Sequence, residues 1–85
     1  MVIGVTAIKV VPGQERSAYQ ALKHRDGIEH IYHAFGEYDF FIVLQAEGMN
    51  NLNVLMENIQ KMGQISRAQT ILIGAEHEMM SARAY

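Results

Sequence analysis

The sequence contains no cysteine, no tryptophan and a single proline in 85 residues. Without cysteine, disulfides cannot support a small core, and thiolate metal sites and thiol nucleophiles are excluded as chemistries. An excess of one charge is missing as well: seven Lys and Arg stand against nine Asp and Glu, a net charge of −2. The basic residues Lys9, Arg16, Lys23, Arg25, Lys61, Arg67 and Arg83 are scattered along the chain. A phosphate-tracking surface is therefore not expected, and neither is direct nucleic-acid binding. No apolar run exceeds five residues, and the N-terminal Met-Val-Ile-Gly-Val carries no positive charge. Neither a membrane span nor a secretory leader is expected, and a cytoplasmic location is the default reading.

What is present is a composition of 49% hydrophobic and 19% charged residues, that of one folded domain. No linker or low-complexity stretch divides the chain, so residues 1–74 are read as one unit and 75–85 as a C-terminal tail. A chain this size lies just above the ~70–80 residues below which one core rarely suffices, so self-association is the expected support.

Val2–Val11 is rich in β-branched residues and stops at Pro12-Gly13, which predicts a strand and a turn. Gln14–His24 has helix formers, with Ala18, Ala21 and Leu22 on one face; Lys23, His24 and Arg25 complement its dipole, and Gly27 provides a stop. Ile28–Phe35 and Phe40–Ala46 read as strands joined by the hairpin loop Gly36-Glu37-Tyr38-Asp39. Beyond Gly48, residues Met49, Leu52, Leu55, Met56, Ile59 and Met62 fall within an arc of roughly 140° on a helical wheel. Lys61 and Gly63 are expected to close that helix, and Ile65–Ile73 supplies a fourth strand.

The order βαββαβ predicts an α+β, ferredoxin-like sandwich: a four-stranded antiparallel sheet with both helices on one face. The third strand carries Phe40, Ile42 and Leu44 on one side and Phe41 and Val43 on the other, and the first strand sets Ile3, Val5 and Ala7 against Val2, Ile8 and Val10. Both sheet faces are thus apolar. The open one is expected to be covered by a second subunit, as in a dimeric α/β barrel; the alternative cover is the tail, with Glu76, His77, Glu78 and Arg83.

Three segments then combine. Pro12-Gly13-Gln14-Glu15 follows the first strand, Gly36-Glu37-Tyr38-Asp39 lies in the hairpin, and Ile65-Ser66-Arg67-Ala68-Gln69-Thr70 opens the fourth strand. Together they resemble the amino-acid-sensing (RAM, ligand-binding) domain of the Lrp/AsnC, or feast/famine, transcriptional regulators. The family's loop is Gly-x-Tyr-Asp, matched in full; its fourth strand often reads Arg-Thr-x-Thr, and here Ala68 replaces the first threonine. The resemblance spans about residues 2–74 and implies a stand-alone sensing module without the family's helix-turn-helix domain. It further implies a homodimer formed through the sheets, dimers assembled into an octameric or decameric ring, and an amino acid or similar effector bound near the hairpin. Full-length Lrp/AsnC regulators are the implied protein partners.

A zwitterionic ligand needs an acceptor for its ammonium group and donors for its carboxylate. Asp39 is the candidate acceptor, Arg67 and the backbone around Gly36 are candidate donors, and Tyr38 and Thr70 complete the set. The plainer reading is a hairpin in which Gly36 supplies a positive φ, Asp39 bonds within its own turn and Tyr38 packs on a neighbour. Arg67 is then a solvated strand charge or an intersubunit salt bridge. No catalytic residue, metal site or cofactor is expected. His30 and His33 lie three apart on a strand and face opposite sides, His24 ends a helix and His77 is in the tail, so no ligand set forms. Met79, Met80 and Tyr85 of the tail either dock on a neighbouring subunit or fray. Two other functions compete with sensing: a ligand-free adaptor that co-assembles with full-length regulators, and a small dimeric α/β-barrel enzyme such as a monooxygenase, with His30 or His33 and Tyr32 as its acid–base set.

Overall fold

A computed structural model describes residues 1–75; the tail residues His77, Met79, Met80 and Tyr85 lie outside the described residues. The element order is β1 (Val2–Val10), α1 (Glu15–Lys23), β2 (Ile28–His33), β3 (Phe40–Ala46), α2 (Met49–Gln60) and β4 (Ile65–Ala75). The strands form one four-stranded sheet in the order β2-β3-β1-β4, and all three pairings are antiparallel. This is the ferredoxin-like α+β sandwich expected from the sequence, with β1 and β3 central and β2 and β4 at the edges.

The β-branched run of β1 ends where Pro12 removes a ladder donor. Gly13 turns the chain at φ 87°, and the Gln14 N–H closes the turn onto the Val11 carbonyl at 2.9 Å. At the end of α1 the His24 and Arg25 N–H groups bond to the Leu22 carbonyl. Gly27 then takes φ 93°, and its carbonyl receives the Gln45 N–H at 2.8 Å, which seats the chain against the far end of β3. Helix α2 ends differently from the expectation. Gly63 is not among the positive-φ glycines; the Lys61 N–H reaches Glu57 and Ile59, the Met62 N–H reaches Ile59 at 3.1 Å, and the chain tightens through consecutive turns into β4. Short-range bonds of this kind satisfy the last carbonyls, so no left-handed residue is needed.

Alternation along the strands sorts the core. Ile8 and Val10 of β1 and Phe40, Ile42 and Leu44 of β3 point to the helices and meet Ala18 and Leu22 of α1 and Leu52 and Ile59 of α2. Ile8, Leu22, Ile42, Leu44, Leu52 and Ile59 are all fully buried. Among the described residues one buried polar residue interrupts this layer: Thr6, whose hydroxyl lies 3.1 Å from that of Thr70. On the other face Ile3, Val5, Phe41 and Val43 are half-buried, and Ala7 is buried among larger neighbours. The strand β2 is shorter than its β-branched composition suggests. It stops at His33, and Phe35 stands 98% exposed at the mouth of the hairpin.

Candidate functional site

The hairpin between β2 and β3 is built by glycine and by one carboxylate. Gly36 takes φ 98°, a value that side chains with a Cβ rarely adopt, and an added Cβ there would meet open space. The loop is clamped at its base, where the Ala34 N–H bonds to the Asp39 carbonyl and the Asp39 N–H to the Ile8 carbonyl, at 2.9 and 2.8 Å. The β1–β3 register stops at Ile8 and Phe40, which would leave the next inward donor of β1 unpaired. Asp39 Oδ2 takes it, accepting the Val10 N–H at 2.7 Å, a charge-assisted bond that extends the ladder by one step.

From this base the loop leans over the open face of the sheet. Lys9 and Arg67 are direct neighbours across the β1–β4 ladder, two like charges side by side. Glu37 answers both: its carbonyl accepts from Lys9 Nζ at 3.0 Å, and its carboxylate pairs with Arg67 Nη1 at 3.3 Å. Tyr38 donates its hydroxyl to Gln69 Oε1 at 2.7 Å, and its ring carries the Arg67 guanidinium 5.8 Å from the centroid. Both members of the ion pair remain more than half exposed, at 57% for Arg67 and 64% for Glu37.

Gly36, Tyr38 and Arg67 are therefore brought together at one end of the open face. Asp39 adjoins them in the chain, but its carboxylate is bonded to the β1 backbone, and the residue borders a concavity of about 380 Å³ beside α1, with Glu15, Arg16, Tyr19, His33 and Phe40. Thr70 is on the far side of the sheet from Arg67, its hydroxyl placed against Thr6 and against the Met56 sulfur at 2.8 Å. Strand parity requires this, since residues three apart project to opposite faces. Lys9 and Gln69, which join the cluster, are absent from the sequence-derived set. Their signal was the pairing of the β1 end with the Arg67-containing strand, which fixes positions 9 and 69 beside the loop.

The same parity splits the acid–base set of the enzymatic alternative: it sets His33 apart from Tyr32 and leaves His30 beside it. His30 stacks on Tyr32 at 5.8 Å on the open face, whereas His33 stacks on Tyr19 at 5.9 Å and tilts against Phe40 on the helix side. Among the described residues no group of three His, Cys, Asp or Glu is arranged to hold a metal ion, and no helix is long and apolar enough to cross a membrane.

A four-stranded ferredoxin-like sheet with a Gly-Glu-Tyr-Asp hairpin closing on a strand arginine places the chain among small ferredoxin-like α+β domains. Within that class, residues 4–80 match the family profile described as the Lrp/AsnC ligand binding domain, and the chain belongs to that family. Solved structures agree. The protein FFRP-DM1 superposes with a TM-score of 0.82 at 25% identity, over 88% of this chain and 100% of its own. AsnC of E. coli superposes with a TM-score of 0.79 at 25% identity over 88% of this chain, which spans 51% of AsnC. A feast or famine regulatory protein of M. tuberculosis, solved in complex with L-methionine, shares the fold with a TM-score of 0.69 at 23% identity, over 85% of this chain and 50% of that one. No curated protein matches the sequence.

Proposed function

We propose that the chain is a non-enzymatic regulatory sensing module that binds an amino acid or a similar zwitterion at the end of the open sheet face, beside Gly36, Tyr38 and Arg67. The observation that carries this reading is the closure of the family's Gly-x-Tyr-Asp hairpin onto Arg67. That closure puts a guanidinium, an aromatic ring and a carboxylate within one side chain's reach of each other, where α-amino and α-carboxylate groups need partners. The L-methionine complex of the mycobacterial relative, a protein of the same fold, supports an amino acid as the ligand class.

Output in this reading is a change in assembly or in association with full-length Lrp/AsnC regulators. The half-buried Ile3, Val5, Phe41 and Val43 form a contiguous apolar surface, suited to a second copy and so to a homodimer from which a larger ring is built. A Val43→Lys substitution at the centre of that surface is expected to shift the sedimentation profile to monomer.

The test of sensing is a thermal-shift panel of the twenty amino acids at millimolar concentration. A ligand at ~100 times its Kd adds ~2.7 kcal/mol, which moves the midpoint of so small a domain by roughly ten degrees or more. A shift for one or a few amino acids supports the reading. A flat panel removes it and leaves the adaptor role, in which the same surfaces assemble with other regulators without a ligand.

A further inference from the structure

Asp39 is the acidic residue that the sequence pattern offers for an ammonium group, yet in the fold its Oδ2 is bonded to the Val10 N–H, and the residue borders the concavity beside α1. A different carboxylate stands on the open face. Glu37 lies 3.3 Å from Arg67 Nη1, both groups more than half exposed, while Lys9 holds the Glu37 backbone through its carbonyl. The Glu37 main chain is thus anchored and its side chain is held by one exchangeable, solvent-screened ion pair. Tyr38, beneath the guanidinium, is fixed by its own bond to Gln69 and does not depend on Glu37.

We infer that Glu37 is a built-in stand-in for the effector's carboxylate, and that an amino acid binds by inserting into the Arg67–Glu37 pair. The entering α-carboxylate takes the guanidinium, with the Lys9 ammonium beside it, and the released Glu37 carboxylate accepts the α-ammonium group. One ion pair is exchanged for two, and the local charge is unchanged. A ligand with only one of the two groups gains one pair by breaking one, so it gains almost nothing. The cluster therefore selects zwitterions over simple carboxylates and simple amines, and the selecting residue is Glu37 rather than Asp39. This inference rests on the sensing function proposed above and names the residues that carry it.

The experiment measures, on the full chain, binding of the best amino acid of the panel, of its N-acetyl derivative, which lacks the ammonium group, and of its amide, which lacks the carboxylate. Native protein is expected to prefer the free amino acid over both derivatives. In Glu37→Gln nothing competes for Arg67, so the N-acetyl derivative gains and the preference over it falls about five- to tenfold, the weight of one charge-assisted contact at a partly exposed site. In Arg67→Gln the preference over the amide is lost instead. Arg16→Gln, on the α1 side, leaves both preferences as in native protein. Amino-acid binding that keeps its native preferences in Glu37→Gln overturns the exchange while leaving the sensing function intact. Binding abolished by Arg16→Gln moves the ligand to the concavity beside α1 and also overturns it. A native protein that binds no amino acid removes both the exchange and the sensing function beneath it.

Discussion

The two faces of the sheet are built from the same strands and differ in how far their side chains are finished. Toward the helices, Ile8, Ile42 and Leu44 are fully buried and the polar pair Thr6 and Thr70 is matched hydroxyl to hydroxyl. Toward the open side, Val5, Phe41 and Val43 are only half-buried, and the face ends in the exposed Lys9, Arg67 and Glu37 group. Folding free energy is concentrated on the first face, and the second is left with surface to spend on contacts outside the protomer. That division is what a regulatory domain requires, because a ligand or a second copy can then act on groups whose loss does not unfold the chain.

The strongest way to break this comparison is to truncate adjacent residues of β3 that face opposite ways. Leu44→Ala removes a fully buried side chain and is expected to cost ~2–5 kcal/mol. For a domain of this size that lowers the melting midpoint by more than ten degrees, read by circular dichroism, at roughly 4–8 °C per kcal/mol. Val43→Ala on the open face is expected to cost about 1 kcal/mol or less in dilute protein and progressively more as concentration rises and a partner copy covers the site. Equal, concentration-independent losses would mean that the faces are not different in kind.

A somewhat smaller effect is expected at Gly27, on the helix side. Its φ is +93°, and an added Cβ would lie 2.7 Å from Leu55 Cδ2 and 3.4 Å from the Gln45 carbonyl oxygen. Gly27→Ala therefore combines backbone strain with overpacking and should cost ~1–3 kcal/mol. Gly13→Ala has a similar φ of +87° and nothing within 4 Å, so it carries the strain alone. The difference between the two denaturation midpoints isolates the clash with α2.

The element order was legible in the sequence because each element carries its own signal: β-branched runs, the Pro12-Gly13 stop, and the 3.6-residue spacing of Leu52, Leu55, Met56 and Ile59. The Gly36 turn was legible for the same reason, since only glycine readily takes that φ. Gly63 misled, because a glycine after a helix marks a stop without dictating its geometry, and consecutive turn bonds satisfied the carbonyls instead. Phe35 misled through composition: it has strand propensity, but the hairpin clamp at Ala34 and Asp39 ends the ladder before it. The candidate cluster was half legible. A motif places Asp39 and Thr70 near Arg67 along the chain, but facing depends on strand parity and on which backbone donor is left unpaired. For Asp39 that donor is the Val10 N–H, which appears only once the β1–β3 register is known.

Within the helix-side layer the threonine pair offers a sharper, smaller test. Thr6→Val alone leaves the Thr70 hydroxyl with only the weak Met56 sulfur acceptor and should cost ~1 kcal/mol. The double change to valine removes both hydroxyls at nearly constant shape and should cost less than the sum of the singles by about 1 kcal/mol. A strictly additive cycle, measured by urea denaturation, would show that the two hydroxyls act independently and that this face holds no coupled polar pair.

The smallest effect belongs to the open face, and its smallness is the point. Among the charged contacts that hold the hairpin, two contrast most: Asp39 to the Val10 N–H at 2.7 Å, and Arg67 to Glu37 at 3.3 Å between groups that are mostly in water. A screened surface pair of the second kind contributes roughly 0–1 kcal/mol, less as salt rises. Arg67→Gln should therefore change unfolding free energy by less than about 0.5 kcal/mol, and that difference should shrink further between low and high ionic strength. Asp39→Asn weakens a charge-assisted bond to a backbone donor and should cost more, with little dependence on salt. If Arg67→Gln proved the more destabilising of the two, the Arg67–Glu37 pair would be a structural clasp, too costly for a weakly bound effector to open. A negligible cost leaves Arg67 free to change partners without cost to the fold, and that freedom is the physical condition for a ligand to be read at this end of the sheet.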